Sequence, residues 1–226
     1  MKYIVANWKA NGSLTHTNEF IEQWLSLPLI DFISLEKEII IAPSNIFYLK
    51  LKQSTLNVKL ALQDISIYEG GAHTGEIGID NLNEIKPEYC IIGHSERRRD
   101  QNENNELIVQ KVKYLVKAKI IPIICFDLSE VEELALLLKD LLMEKMIFAY
   151  EPVEAISTSG GQGNFDSQKL MKIMPKLRSL FPFKPILYGG SVKPENAHEY
   201  ANISDGLLVG GASLSAMSFY QIANNF

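Results

Sequence analysis

The chain has 226 residues, enough for one large domain or two small ones, and 46% of them are hydrophobic against 22% charged, the balance of an ordinary globular protein. A chain this long buries a core without help from disulfides or a metal, and its 14 glycines and 9 prolines are too few for a linker-rich or disordered polypeptide. The net charge of −5 speaks against a nucleic-acid partner, which asks for a basic face, but leaves a small anionic substrate open because the local field decides that.

Short apolar runs recur along the chain: Tyr3–Trp8, Glu38–Ala42, Lys59–Gln63, Tyr89–Gly93, Ile121–Phe126, Met146–Tyr150, Pro185–Tyr188 and Gly206–Val209. Most are continuous rather than alternating, the mark of parallel strands covered on both faces. Helical stripes lie between them. Phe20, Ile21, Trp24 and Leu25 define one over 17–26, and Ile108, Val112, Leu115 and Val116 another over 104–118. A third, over 129–142, opens with capping-box spacing between Ser129 and Glu132. A fourth starts after Asp166 and carries Pro175, which predicts a kink or an early end. Pro194 suits the first turn of a helix. Alternating strands and helices, eight times over, predict a single (β/α)₈ barrel domain spanning 1–226, with an open doubly wound sheet as the alternative.

Cys90 and Cys125 sit in apolar runs and read as reduced core thiols. No signal-peptide pattern follows Met1, so a cytoplasmic location is expected. The stretch 206–226 is uncharged, but its glycines, serines, asparagines and glutamine make it too polar for a membrane span.

Chemistry-bearing residues gather where the strands end. Asn7 and Lys9 share a face at the end of the first, where a lysine offers a cation to an anionic substrate. His94 follows the fourth and precedes a polar turn. A helix N-terminus there predicts a lowered pKa and a neutral imidazole. Glu151 ends the sixth strand in poor solvation, which predicts a raised pKa and a base. The Gly/Ser/Thr-rich run after it, 154–163, reads as a lid. Double glycines end the last two strands, Gly189-Gly190 and Gly210-Gly211, and let backbone N–H groups approach a phosphate. No histidine pair has metal-ligand spacing.

Taken together, the stretches 6–12, 71–76, 92–98, 149–153, 187–192 and 206–211 resemble the triosephosphate isomerase family, in family order and over nearly the whole chain. The run Gly93-His94-Ser95-Glu96-Arg97-Arg98 is the most specific of them. The resemblance implies interconversion of dihydroxyacetone phosphate and glyceraldehyde 3-phosphate, a step of glycolysis and gluconeogenesis, with no cofactor or metal. By motif, Glu151 is the base and His94 the neutral electrophile. Lys9 supplies positive charge, Asn7 positions the substrate, and Ser95 and Glu96 stand behind them with Glu96 near Lys9. The phosphate donors implied are N–H groups of Ser157, Ser191, Gly210 and Gly211. The 71–78 segment resembles the family's dimer loop, so a homodimer is expected, with Thr74 reaching the neighbouring site near Asn7 and His94. Neither nucleic acid nor membrane is an expected partner.

The sequence departs from the family at Glu154, where tryptophan is usual, and at Ser157-Thr158-Ser159, where Gly-Thr-Gly is usual. Altered lid motion with retained chemistry is the expectation. Barrels of this kind run to about 250 residues, and the shortening falls between Cys125 and Ala149, around the helix after the fifth strand. Two rival readings remain open on residues alone. One is an aldolase-type enzyme with Lys9 as Schiff-base former, and the other an altered homologue or phosphosugar-binding scaffold.

Overall fold

Runs that are apolar on both sides need cover on both sides, and closing the sheet on itself supplies it. The computed structural model describes residues 1–28, 36–152 and 167–226. Its parallel strands are β1 (Lys2–Asn7), β2 (Lys37–Ala42), β3 (Lys59–Leu62), β4 (Tyr89–Ile92), β5 (Ile121–Phe126), β6 (Ile147–Tyr150), β7 (Ile186–Tyr188) and β8 (Gly206–Val209). They form a closed barrel in chain order. The ring seals where β1 meets β8, from Tyr3 opposite Gly206 to Ala6 opposite Val209. All eight expected strands are present. Several end one residue early because the chain turns there: Lys9 and Gly93 both have positive φ.

Alternation divides the strand residues between two cores. Val5, Ile40, Ala61, Ile91, Ile123, Cys125, Ile147, Ala149, Leu187 and Leu208 fill the barrel interior. Ile4, Ile41, Ile92, Phe148 and Leu207 face the helices. In the outer core, Trp8, Phe20, Trp24 and Phe219 form a chain of ring contacts 4.8, 5.8 and 5.6 Å between centroids. Phe148 stacks on Phe181 at 3.7 Å. Cys90 and Cys125 are free thiols, fully buried, and burial pushes both well above the usual thiol range.

Among the described residues the helices are α1 (Leu14–Ser26), α2 (Tyr48–Lys52), α3 (Ile79–Ile85), α4 (Ser95–Gln101), α5 (Asn105–Lys117), α6 (Val131–Leu138), α7 (Ser167–Leu180) and α8 (Ala216–Asn225). Ser13 starts α1 three residues before the expected stripe by accepting the His16 N–H at 3.1 Å. The capping box expected at Ser129 does not form. Ser129 instead donates its N–H and hydroxyl to Asp127 Oδ1 at 2.7 and 2.6 Å, so Glu130 becomes the residue before α6. That helix is short, and a 3₁₀ turn over Lys139–Leu141 completes the trimmed connection. Pro175 does not end α7, which runs on to Leu180. Proline at 175 cannot donate to the carbonyl of Met171 one turn earlier, and Met171 lies on the solvent-exposed face of the helix. The expected cap at Asp166 lies outside the described residues. Pro194 is not in a helix: Lys193 O accepts the N–H groups of Asn196 and Ala197, a turn leading into the 3₁₀ segment Ala197–Tyr200. Among the described residues, no helix is long and apolar enough to cross a membrane.

The seal between β1 and β8 depends on a missing side chain. A Cβ on Gly206 would lie 2.0 Å from Tyr3 O and 2.7 Å from Leu187 Cδ2. Gly206→Ala should therefore destabilise the fold by about 3 kcal/mol or more. Urea unfolding followed by circular dichroism measures this, and an unchanged midpoint would contradict the account of the seal.

Candidate active site

The alternation that fills the interior also supplies the site. Two residues beyond inward-facing Val5, β1 delivers Asn7; two beyond Ala149, β6 delivers Glu151. Both are almost completely buried. Asn7 Oδ1 accepts the Lys9 N–H at 3.0 Å. Lys9 itself has φ 54, a left-handed backbone that a side chain disfavours, so its surroundings must hold it. Gln63 does so from the end of β3, donating Nε2 to Lys9 O at 2.8 Å and to Ala42 O at 3.0 Å. The Lys9 ammonium donates to Glu96 Oε1 at 2.8 Å.

The end of β4 follows another rule. Gly93, at φ +70, breaks the alternation, and a Cβ there would strike Ile108 Cδ1 at 2.8 Å. The turn places His94 before α4, where its Nδ1 accepts the Glu96 N–H at 3.2 Å. An accepting Nδ1 leaves the ring proton on Nε2. That atom lies 3.0 Å from Glu151 Oε1, while Glu151 Oε2 accepts the Ser95 N–H at 2.9 Å. Arg98 braces the turn by donating to Gly93 O at 2.9 Å and Cys125 O at 3.2 Å.

Both expected pKa directions are reversed by this contact. Burial presses the Glu151 carboxyl towards its neutral form, but His94, the Ser95 N–H and Lys9 together hold it below the usual carboxylate range. Burial likewise presses His94 towards neutrality, but the charge and hydrogen bond of Glu151, aided by Glu96 and opposed by Lys9, lift it above its ordinary value. Burial and the helix end were legible in sequence. The mutual contact of the two groups was not.

Asn7, Lys9, His94 and Glu151 line one cavity of about 280 Å³ with Ser191, Gly210 and Gly211. Gly189 allows the close approach: a Cβ there would sit 3.0 Å from Glu151 Cγ. Ser95 and Glu96 stand directly behind, touching Glu151 and Lys9. Thr74 is not among the lining residues and lies on the exposed 71–76 loop. Ser157, Glu154 and the expected lid lie outside the described residues. Sequence reasoning missed Asn11 and Lys193, which also line the cavity, and Gln63. Gln63 carried the same signal as Asn7, being two residues beyond inward-facing Ala61. Among the described residues, no group of three His, Cys, Asp or Glu side chains is placed to hold a metal ion.

Comparison with known proteins gives full-length matches. The family model for triosephosphate isomerase matches residues 2–226. A triosephosphate isomerase of Mesomycoplasma hyorhinis is 35% identical over 97% of this chain and 96% of its own length. Proteins of that name from Francisella philomiragia subsp. philomiragia and Alkalilimnicola ehrlichii are 31% and 33% identical, over 99% and 97% of this chain and 96% of each relative.

The pair has a testable pH signature. Raised His94 adds stability that is complete below 6.5 and fades as pH rises through its folded value; lowered Glu151 adds stability present above 4.5 and lost as pH falls through its folded value. Both contributions are therefore complete only between those limits. Replacing Glu151 by Gln should lower the His94 titration midpoint, read from its ring protons by NMR. An unmoved midpoint would show that the carboxylate does not set it.

Proposed function

The chain belongs to the triosephosphate isomerase family, and on that footing we propose how its residues carry the family's reaction, the interconversion of dihydroxyacetone phosphate and glyceraldehyde 3-phosphate. The observation that carries the reading is the convergence of one carboxylate, one imidazole and one ammonium in a single cavity at the barrel mouth. Glu151 removes the proton from the carbon beside the substrate carbonyl and returns it to the neighbouring carbon. To do so it gives up His94 and the Ser95 N–H for the substrate. That exchange removes the carboxylate that lifts His94, while the Glu96 N–H on Nδ1 keeps the ring a neutral donor through Nε2. His94 then polarises the carbonyl and moves protons between the two oxygens. Charge developing on the enediolate meets the Lys9 ammonium, already fixed by Glu96, so little reorganisation accompanies the reaction. An ammonium engaged in this ion pair is not the free amine that a Schiff base needs.

The phosphate takes N–H groups of Ser191, Gly210, Gly211 and Ser157, and its binding energy serves to exclude water from the enediolate. The position of Gly210 supports this placement: a Cβ there would lie 3.6 Å from Lys9 Cε, so the glycine end of β8 borders the same space as the ammonium.

The protein acts as a homodimer in the cytoplasm. Support for the dimer comes from the exposed 71–76 loop and from Leu14, 56% exposed at the start of α1, and Ile46, 80% exposed on the β2–α2 connection. A second copy covers them and receives Thr74.

A coupled assay on the purified protein should show isomerisation in both directions. Glu151→Gln should lower kcat by about 10³-fold with the fold intact. Activity that survives the substitution would overturn the assignment of the base.

A further inference from the structure

Four charged side chains outside the cavity form a cluster that the reaction does not use. Lys111 of α5 donates to Asp64 Oδ1 and Oδ2 at 2.8 and 2.7 Å and to Glu103 Oε1 at 2.6 Å. Arg97 of α4 reaches the same two carboxylates, Nη2 to Asp64 Oδ2 at 2.9 Å and Nε to Glu103 Oε1 at 2.7 Å. The Lys111 and Glu103 side chains are each 3% exposed and that of Asp64 13%. Removing so many charges from water is costly, so stability alone is a weak reason for the arrangement.

Position in the chain supplies a better one. Asp64 directly follows Gln63, which holds the Lys9 carbonyl, and Arg97 directly follows Glu96, which holds the Lys9 ammonium. The Asp64–Arg97 bridge therefore ties the backbone clamp of Lys9 to its side-chain clamp, and Lys111 and Glu103 fix both to α5. We propose that this ion cluster is a positioning device that keeps Lys9 in its left-handed conformation with its ammonium aimed into the cavity. The inference rests on Lys9 being the cation that receives the substrate.

The cluster also makes the device sensitive to acid. Burial lifts the Asp64 carboxyl to about 6, helped by Glu103 and opposed by Lys111 and Arg97. The other titratable group facing it, the Cys90 thiol of β4, is kept protonated by burial. Below about 6 Asp64 is neutral and its hold on both cations weakens. Lys9 meets the anionic substrate as it binds and the charge that develops on the enediolate, so loosening it raises KM and lowers kcat together.

The test is the KM of Asp64→Asn relative to wild type across pH in the coupled assay. Titration of the substrate phosphate and of Glu151 is common to both proteins and cancels in the ratio. The ratio should be about fivefold near pH 7.5 and fall to about one near pH 5, with kcat lowered at neutral pH and equal to that of wild type near pH 5. A ratio of one throughout, or a ratio independent of pH, overturns the proposal. So does a kcat lowered to the same extent at every pH with KM unchanged, which would leave the hold of Lys9 on the substrate untouched. Should that variant fail to fold, Arg97→Lys keeps the charge without the two-carboxylate fork and should raise KM at neutral pH by a similar factor; an unchanged KM again overturns it. Lys9→Met separates the two readings. If it leaves KM unaltered, Lys9 is not the substrate cation. If it raises KM while Asp64→Asn does not, only the positioning inference fails.

Discussion

Closure of the eight-stranded ring is the constraint on which everything else rests. The groups at the cavity come from the ends of β1, β4, β6, β7 and β8, far apart in sequence. They meet only because β8 pairs with β1. The interior beneath them is a buried, mostly aliphatic layer that leaves the strand ends no freedom to sink or spread. A packed floor of this kind fixes where a side chain one step above it must stand. The barrel thus converts a statement about alternation into a statement about geometry.

Within that frame, the site is held in a resting arrangement in which its own members satisfy one another. Glu151 and His94 are each buried, and each would be costly alone. Their contact resolves the cost while no substrate is present, and the Ser95 N–H completes it. On the proposed assignment, substrate binding exchanges one set of hydrogen bonds for another rather than creating them from nothing. The same logic extends outward. Lys9 sits in a disfavoured backbone conformation because Asn7, Gln63 and Glu96 each hold a different atom of it.

What the sequence revealed follows from which physical rules are local. Strand positions, inner and outer faces, and the placement of Asn7 and Glu151 are consequences of a period of two, and they are visible in single runs such as Met146–Tyr150. The double glycines announced themselves because glycine has few other reasons to end an apolar strand. His94 was found by its neighbours, but the turn that aims it depends on Gly93 meeting Ile108, a tertiary contact. The pKa directions of Glu151 and His94 were misjudged because one was weighed against burial and the other against a helix end, and neither against its partner. The Ser129 cap failed for a nearer reason: Asp127 competes for the same donors two residues away. Gln63 was within reach of the alternation rule and passed unnoticed, since an amide carries no obvious chemistry until its partner is a strained carbonyl.

The two thiols give the molecule a built-in reporter. Cys90 packs in the outer layer and Cys125 in the inner one, on adjacent strands, and neither has any surface in contact with solvent. A thiol reagent therefore reaches them only when the barrel itself opens, and not through fluctuations at the mouth. Modification of Cys125 times the opening of the inner layer and modification of Cys90 the lifting of the helices from it. Two clocks, one per layer, thus run in the same chain without any label being added.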